Sequence, residues 1–197
     1  MRYTRDTIAR RLARPPHDPL PADLHLVGAA PDARIILAAV LVPLVAYSDG
    51  VRVLLTQRTA HLNDHPSQIS FPGGRVESGD RDRVDTALRE AEEEIGLPRS
   101  RIDVLGQLPE HEMPSGFRIS PIVGWIRPPL DLKLDAFEVS SAFEIPLSFV
   151  LAPANHHRRS FHFDGRHRHY MAMPYEGRYI WGATAAMLYS LYRQLDG

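Results

Sequence analysis

Apolar positions change their spacing several times along the chain, and each change predicts an element. Ile8, Ala9 and Leu12 recur at helical spacing within residues 4–12. The prolines at 15, 16, 19 and 21 then forbid helix and ladder pairing, so the stretch from Arg14 to Pro21 is expected as an extended linker. Residues 35–47 are almost continuously apolar and predict a buried strand, or two joined at Pro43. Ser48, Asp49 and Gly50 form a tight turn, and residues 51–56 return as the hairpin partner. Residues 61–70 lack periodicity and read as loop, running into Phe71, Pro72, Gly73 and Gly74.

A helix is predicted from Asp82 to Ile95, with Asp80 or Asp82 as its cap, Gly96 at its left-handed end and Pro98 barring continuation. Short strands are expected near residues 102–108 and 119–127. Within residues 140–149 any helix has to end before Pro146. Alternation around Asp164 and Gly165 predicts a hairpin over residues 161–170. Ala183, Met187, Leu191 and Leu195 repeat at helical spacing, predicting a terminal helix over 179–195. The order of strands, helix, strands, helix is that of an α+β domain with helices packed on a sheet.

Composition narrows the chemistry. The 197 residues include no cysteine, which excludes disulfides, thiolate zinc sites and thiol nucleophiles. A net charge of −1 gives no global field toward nucleic acid or anionic lipid, so an anionic substrate must be held by local cations or by metal. No basic stripe or aromatic platform stands out in the pattern, which argues against RNA as a partner. The apolar run at 35–47 falls short of the about 20 residues that a bilayer requires, so no membrane partner is expected. The arginine-rich start has no secretory pattern; a docked helix or a mitochondrial address fits it, and a cytoplasmic location is expected.

The helix over 82–95 carries the most specific signal. At about 100° per residue, Glu90, Glu93 and Glu94 share a narrow face, while Val84, Ala87, Leu88, Ala91 and Ile95 gather on another. Like charges so spaced repel by about a few tenths of a kcal/mol per pair. A solvated acidic face paired with Arg89 explains a lone glutamate run; a hard cation such as Mg²⁺ or Mn²⁺ explains one preceded by Gly73 and Gly74, whose backbone can approach a ligand closely.

The full string runs from Gly74 through Glu77 to Asp80, then eight residues, then Arg89, Glu90, Ala91, Glu92, Glu93, Glu94, Ile95, Gly96 and Leu97. It resembles the Nudix box, with two departures: Asp80 stands where glutamate is usual, and one extra residue separates it from Arg89. The resemblance implies a Nudix fold, a mixed β-sheet sandwiched between helices with a loop-helix-loop metal site, preceded by an N-terminal helix and proline-rich linker over 1–30, the Nudix domain filling 31–197. It implies that Glu93 and Glu94 bind Mg²⁺ or Mn²⁺ with help from Glu90 and the Gly74 carbonyl, that Arg89 holds a box glutamate in register, and that Glu90 or Glu138 serves as base.

Residues 54–59, Leu62, His65 and the run from Gln68 to Gly74 further resemble the coenzyme A pyrophosphatase branch of that superfamily. Ser115 to Phe117, Glu138 with Val139, and Tyr179 to Ala185 resemble it too, so the likeness spans about residues 35–188. The branch implies hydrolysis of coenzyme A or its derivatives to 3′,5′-ADP and 4′-phosphopantetheine. Arg58 is expected to bind a phosphate, and Phe71 and Phe117 either stack on adenine, line the pantetheine channel or pack in the core. Asn63 stands for an arginine and Ser67 for a glycine of the signature. Hydrolysis of ADP-ribose or another nucleoside diphosphate derivative, or nucleotide sensing without cleavage, are the alternatives. The histidines at 156, 157, 162, 167 and 169 lack a metal-site pattern and read as solvated strand residues, with Arg166 and Arg168 as candidates to help hold an anionic substrate near that hairpin.

Overall fold

The computed structural model describes residues 3–15, 35–61, 66–113, 115–163 and 166–196, with backbone alone at 163 and 166–168. Most of the linker, Leu62 to His65 with Asn63, the Asp164–Gly165 turn and the Arg166 and Arg168 side chains lie outside what is described.

In chain order the elements are α1 (Arg5–Leu12), β1 (Ile36–Ala46), β2 (Val51–Arg58), β3 (Ile69–Ser70), β4 (Gly73–Arg75), α2 (Arg83–Ile95), β5 (Ile102–Gln107), β6 (His111–Glu112), β7 (Phe117–Ile126), β8 (Val139–Pro146), α3 (Leu147–Val150), β9 (His157–Phe163), β10 (Arg166–Tyr175), β11 (Arg178–Trp181) and α4 (Gly182–Asp196).

The central sheet is mixed. β1 runs parallel to β7 and antiparallel to β2, and β5 and β8 extend the two sides. β1 and β2 pair only at their turn end, through Leu44–Val53, Val45–Arg52 and Ala46–Val51. Beyond it they splay, and the segment carrying β3 and β4 wedges between them: β4 pairs β1 at Ala38–Val40, while β3 pairs β2 at Thr56 and Gln57. That wedge delivers Gly73 and Gly74 to the C-terminal half of the acidic helix, beside Glu94 and Glu90. β1 continues through Pro43 as one strand. Leu41 donates its N–H to Pro72 O (2.8 Å), and Pro43, two residues on, faces the same edge in the gap between β4 and β2, where no donor is required.

Alternation along β1 sends side chains to two cores. Ala39, Leu41 and Val45, with Leu54, Ile122 and Ile126, pack under Ala87, Ala91 and Ile95 of α2. Val42 and Leu44, with Val53, Leu55 and Val123, face Ile8 and Leu12 of α1, Leu188, Leu191 and Leu195 of α4, and Met171, Met173 and Ile180 of the second sheet. The sheet is thus sandwiched between helices.

Two boundaries differ from the sequence expectation. Pro146 does not end a helix; it closes β8 and precedes α3, because its fixed φ suits both a strand end and the residue before a helix. The terminal helix starts at Gly182 rather than Tyr179, since Tyr179, Ile180 and Trp181 pair with β10. The outer face of the second sheet carries Phe161, Tyr170 and Trp181 ring to ring at 5.8 and 5.6 Å, an aromatic run that the linear pattern hides across three strands.

Candidate active site

Asp82 caps α2 by accepting from Asp85 N–H at 2.8 Å, and Gly96, at φ 64°, takes the left-handed turn that ends it. These two residues fix where the helix starts and stops, and Ala87, Ala91 and Ile95 set the face it turns to the sheet. A Cβ on Gly74 would fall inside the Glu90 carboxylate and displace it, while one on Gly73 would run into the β1 backbone at Ala39 O and Val40 Cα, so it is Gly73 that needs to be glycine for so close an approach.

Glu94 is the most enclosed carboxylate of the group, its side chain 5% exposed. Its Oε2 accepts from Gly73 N–H at 3.2 Å, and Arg58 Nη1 lies 3.7 Å from Oε1. Burial first, then Glu90 and more weakly Glu138, push the Glu94 carboxyl up to about 8, against the pull of Gly73 N–H and Arg58. Glu90 is also raised, by burial and by Glu93 and Glu138, with Arg89 opposing.

Arg89 organises the rest. Its Nε donates to Asp80 Oδ1 at 2.9 Å and its Nη2 to Asp80 Oδ2 at 3.1 Å and Arg75 O at 3.1 Å; its Nη1 donates to Glu90 Oε1 at 2.9 Å and Glu93 Oε2 at 2.8 Å. All five guanidinium donors are thereby engaged, leaving none for a substrate. Asp80, with a side chain 3% exposed, also accepts from Thr86 Oγ1 and Glu77 N–H, each at 2.9 Å. Arg89 above all holds the Asp80 carboxyl far below the usual carboxylate range. Both departures of the box therefore meet in one bidentate ion pair: with the extra residue, the shorter acid still reaches the arginine. Asp80 belongs to the site's framework, and its position in the box was the signal for it.

The segment after β7 straps the helix end. Lys133 N–H donates to Ile95 O and Asp135 N–H to Glu94 O, both at 2.9 Å. Glu138 follows, its carbonyl accepting from Thr59 N–H at 2.9 Å, and its charge reaches both Glu90 and Glu94. The structure thus brings Arg58, Gly73, Gly74, Glu90, Glu94 and Glu138 together, with Arg89 behind them.

Other expected residues fall elsewhere. Phe71 is 2% exposed in the α4-side core, so it cannot stack on a ligand. Phe117 is half-buried at the start of β7, with the Arg75 guanidinium 5.3 Å from its ring centroid. Glu93 is turned toward Arg89 and half open to solvent. Ser67 sits at φ 58°, which explains why the signature has glycine there. His156 is packed against Tyr189 and Tyr192, its Nε2 2.7 Å from Val150 O, rather than solvated.

The donor set fits a hard divalent cation: carboxylate oxygens in excess over nearby cations, one of them buried and resisting ionisation. Among the described residues no three acidic or histidine side chains form a metal cage, and Arg89 Nη1 is bonded to both Glu90 and Glu93.

A family profile described as NUDIX domain matches residues 37–140. A protein of Yersinia enterocolitica called uncharacterized Nudix hydrolase NudL is 41% identical over 160 residues, covering 81% of each chain. Its namesake from Yersinia pestis is 39% identical over 160 residues, covering 81% of this chain and 79% of its own. A solved Ap4A hydrolase complex from C. elegans is similar over 56% of this chain and 80% of that one, with 20% identity and a TM-score of 0.49. The profile and the relatives agree with the box built around Arg89, and the chain belongs to the Nudix hydrolase family.

Proposed function

We propose that this Nudix hydrolase cleaves the diphosphate linkage of coenzyme A and its derivatives, with Mg²⁺ or Mn²⁺, to 3′,5′-ADP and 4′-phosphopantetheine or its acyl form. The observation that supports this reading is the meeting of the distant signature segments. Thr59 donates from its N–H to Glu138 O and from its Oγ1 to Phe137 O (2.7 Å), and Thr184 Oγ1 donates to Ile69 O (2.9 Å). Residues 54–59 and 137–139 are thus bonded to each other beside the buried carboxylate, and the 179–185 segment is tied to the 68–74 segment from the other face of the sheet.

Glu94 and Glu90 would hold the cation through oxygen, joined by Glu93 and the Gly74 carbonyl. A divalent cation supplies charge neutralisation on the bridging phosphates and makes water more acidic. Arg58, beside Glu94 and outside the box, would take a substrate phosphate. Arg89, with no donor left, positions Glu90 without touching substrate. Glu90 is tied to Arg89, which favours Glu138 as the group that takes the proton from the attacking water.

Incubation with coenzyme A and each metal, followed by mass analysis, is expected to yield the two halves with one added water. ADP-ribose turned over as fast or faster under matched conditions rejects the coenzyme A preference. No turnover of either, in either metal, leaves nucleotide sensing as the reading.

A further inference from the structure

From one exposed ring pair at the rim of the site, we infer that Phe137, backed by His61, is the stacking platform for the adenine of the substrate. This rests on the reading of the site as a nucleoside diphosphate hydrolase. Phe137 is 65% exposed, the most open of the large apolar side chains among the described residues. Its ring centroid lies 4.8 Å from that of His61, with the planes tilted by 58°.

Such exposure of a large ring on mobile backbone means little, but this backbone is fixed on both sides. Phe137 N–H donates to Asp135 Oδ1 at 2.9 Å, and Phe137 O accepts from Thr59 Oγ1 at 2.7 Å. Asp135 is in turn bonded through its N–H to Glu94 O. The ring therefore hangs from the same backbone bonds that set Glu138 against Glu94.

The two rings flank the chemistry in sequence as well. His61 lies three residues beyond Arg58, and Phe137 immediately precedes Glu138. A diphosphate held by Arg58 leaves its nucleoside extending outward, and a purine offers a flat face for an open aromatic ring. Base stacking of this kind is tolerant of sequence and strongly dependent on the ring. The buried Phe71 cannot serve, and Phe117 already packs under Arg75.

The test uses the two expected products as separate inhibitors of wild type, Phe137→Ala and Phe137→Trp. With Phe137→Ala, 3′,5′-ADP is expected to inhibit about tenfold more weakly, near the low end for loss of one base stack. Inhibition by 4′-phosphopantetheine should stay within about twofold, KM should rise more than kcat falls, and Phe137→Trp should restore 3′,5′-ADP. Unchanged inhibition by 3′,5′-ADP, or weakening that falls on 4′-phosphopantetheine instead, overturns the assignment. If coenzyme A proves not to be a substrate, calorimetric binding of ADP-ribose to the same variants decides the question separately: a loss with alanine and recovery with tryptophan sustains the platform, and equal binding removes it.

Discussion

Replacing Glu94 by glutamine is expected to stabilise the metal-free protein at alkaline pH while abolishing most activity. The glutamine oxygen can still accept from Gly73 N–H, so the change removes charge and little else. The Glu94 carboxyl is pushed from its ordinary 4.5 to about 8, a preference for the neutral acid with a ceiling of about 5 kcal/mol. Relaxation toward Arg58 lowers this, and about 2–3 kcal/mol is expected, or about 5–10 °C in Tm for a chain of this size. Because the folded-state value lies above the unfolded one, the stability Glu94 confers is complete below about 4.5 and is lost as pH rises through about 8. Thermal melts with chelator should therefore show wild type falling behind Glu94→Gln between pH 5 and 8, with the two coinciding at pH 4. Excess Mg²⁺ should reverse the order, because binding to the native state stabilises by mass action, about 2.7 kcal/mol at a hundred times Kd. Parallel pH curves without metal, or equal gains from Mg²⁺, would refute the reasoning. In the assay, kcat of the variant should fall by orders of magnitude with the fold intact.

Arg89→Met should destabilise by about 3–5 kcal/mol in urea, because it strands the buried Asp80 carboxylate without its partner. Glu138→Gln should lower kcat by about 10² or more while leaving Mn²⁺ affinity within a fewfold of wild type; a variant that loses metal instead makes Glu138 a ligand rather than a base. Ser67→Gly should raise stability by about 1 kcal/mol, read as a higher urea midpoint with an unchanged slope, since Ser67 holds a left-handed backbone at φ 58°.

The helical face of Glu90, Glu93 and Glu94 was legible because a period of 3.6 places them together whatever the rest of the chain does. The end at Gly96 was legible for the same local reason, and the cap was narrowed to Asp80 or Asp82, of which the structure uses Asp82. What tertiary structure decides was not. Phe71 beside Pro72 and Gly73 is left open by the sequence between a ligand contact and the core, and the wedge between β1 and β2 decides for the core. Tyr179, Ile180 and Trp181 satisfy helical and strand spacing equally over three residues, and only pairing with Ala172, Met173 and Pro174 decides for the strand. Phe137 carries no linear signal; its meaning comes from His61, far away in sequence.

The site's construction follows from a general problem of helices, whose last carbonyls have no partner within the helix. Here the carbonyls of Glu94 and Ile95 accept from Asp135 and Lys133, so the helix end becomes the hook for the segment that presents Phe137 and Glu138. Main-chain bonds, together with Leu130 and Leu132 packed against the α2-side core, thus set the spacing between the box carboxylates and the residues outside the box. The cost falls on the framework: Gly73 has no room for a side chain against the β1 backbone, and Arg89 has no donor left for anything but its present partners.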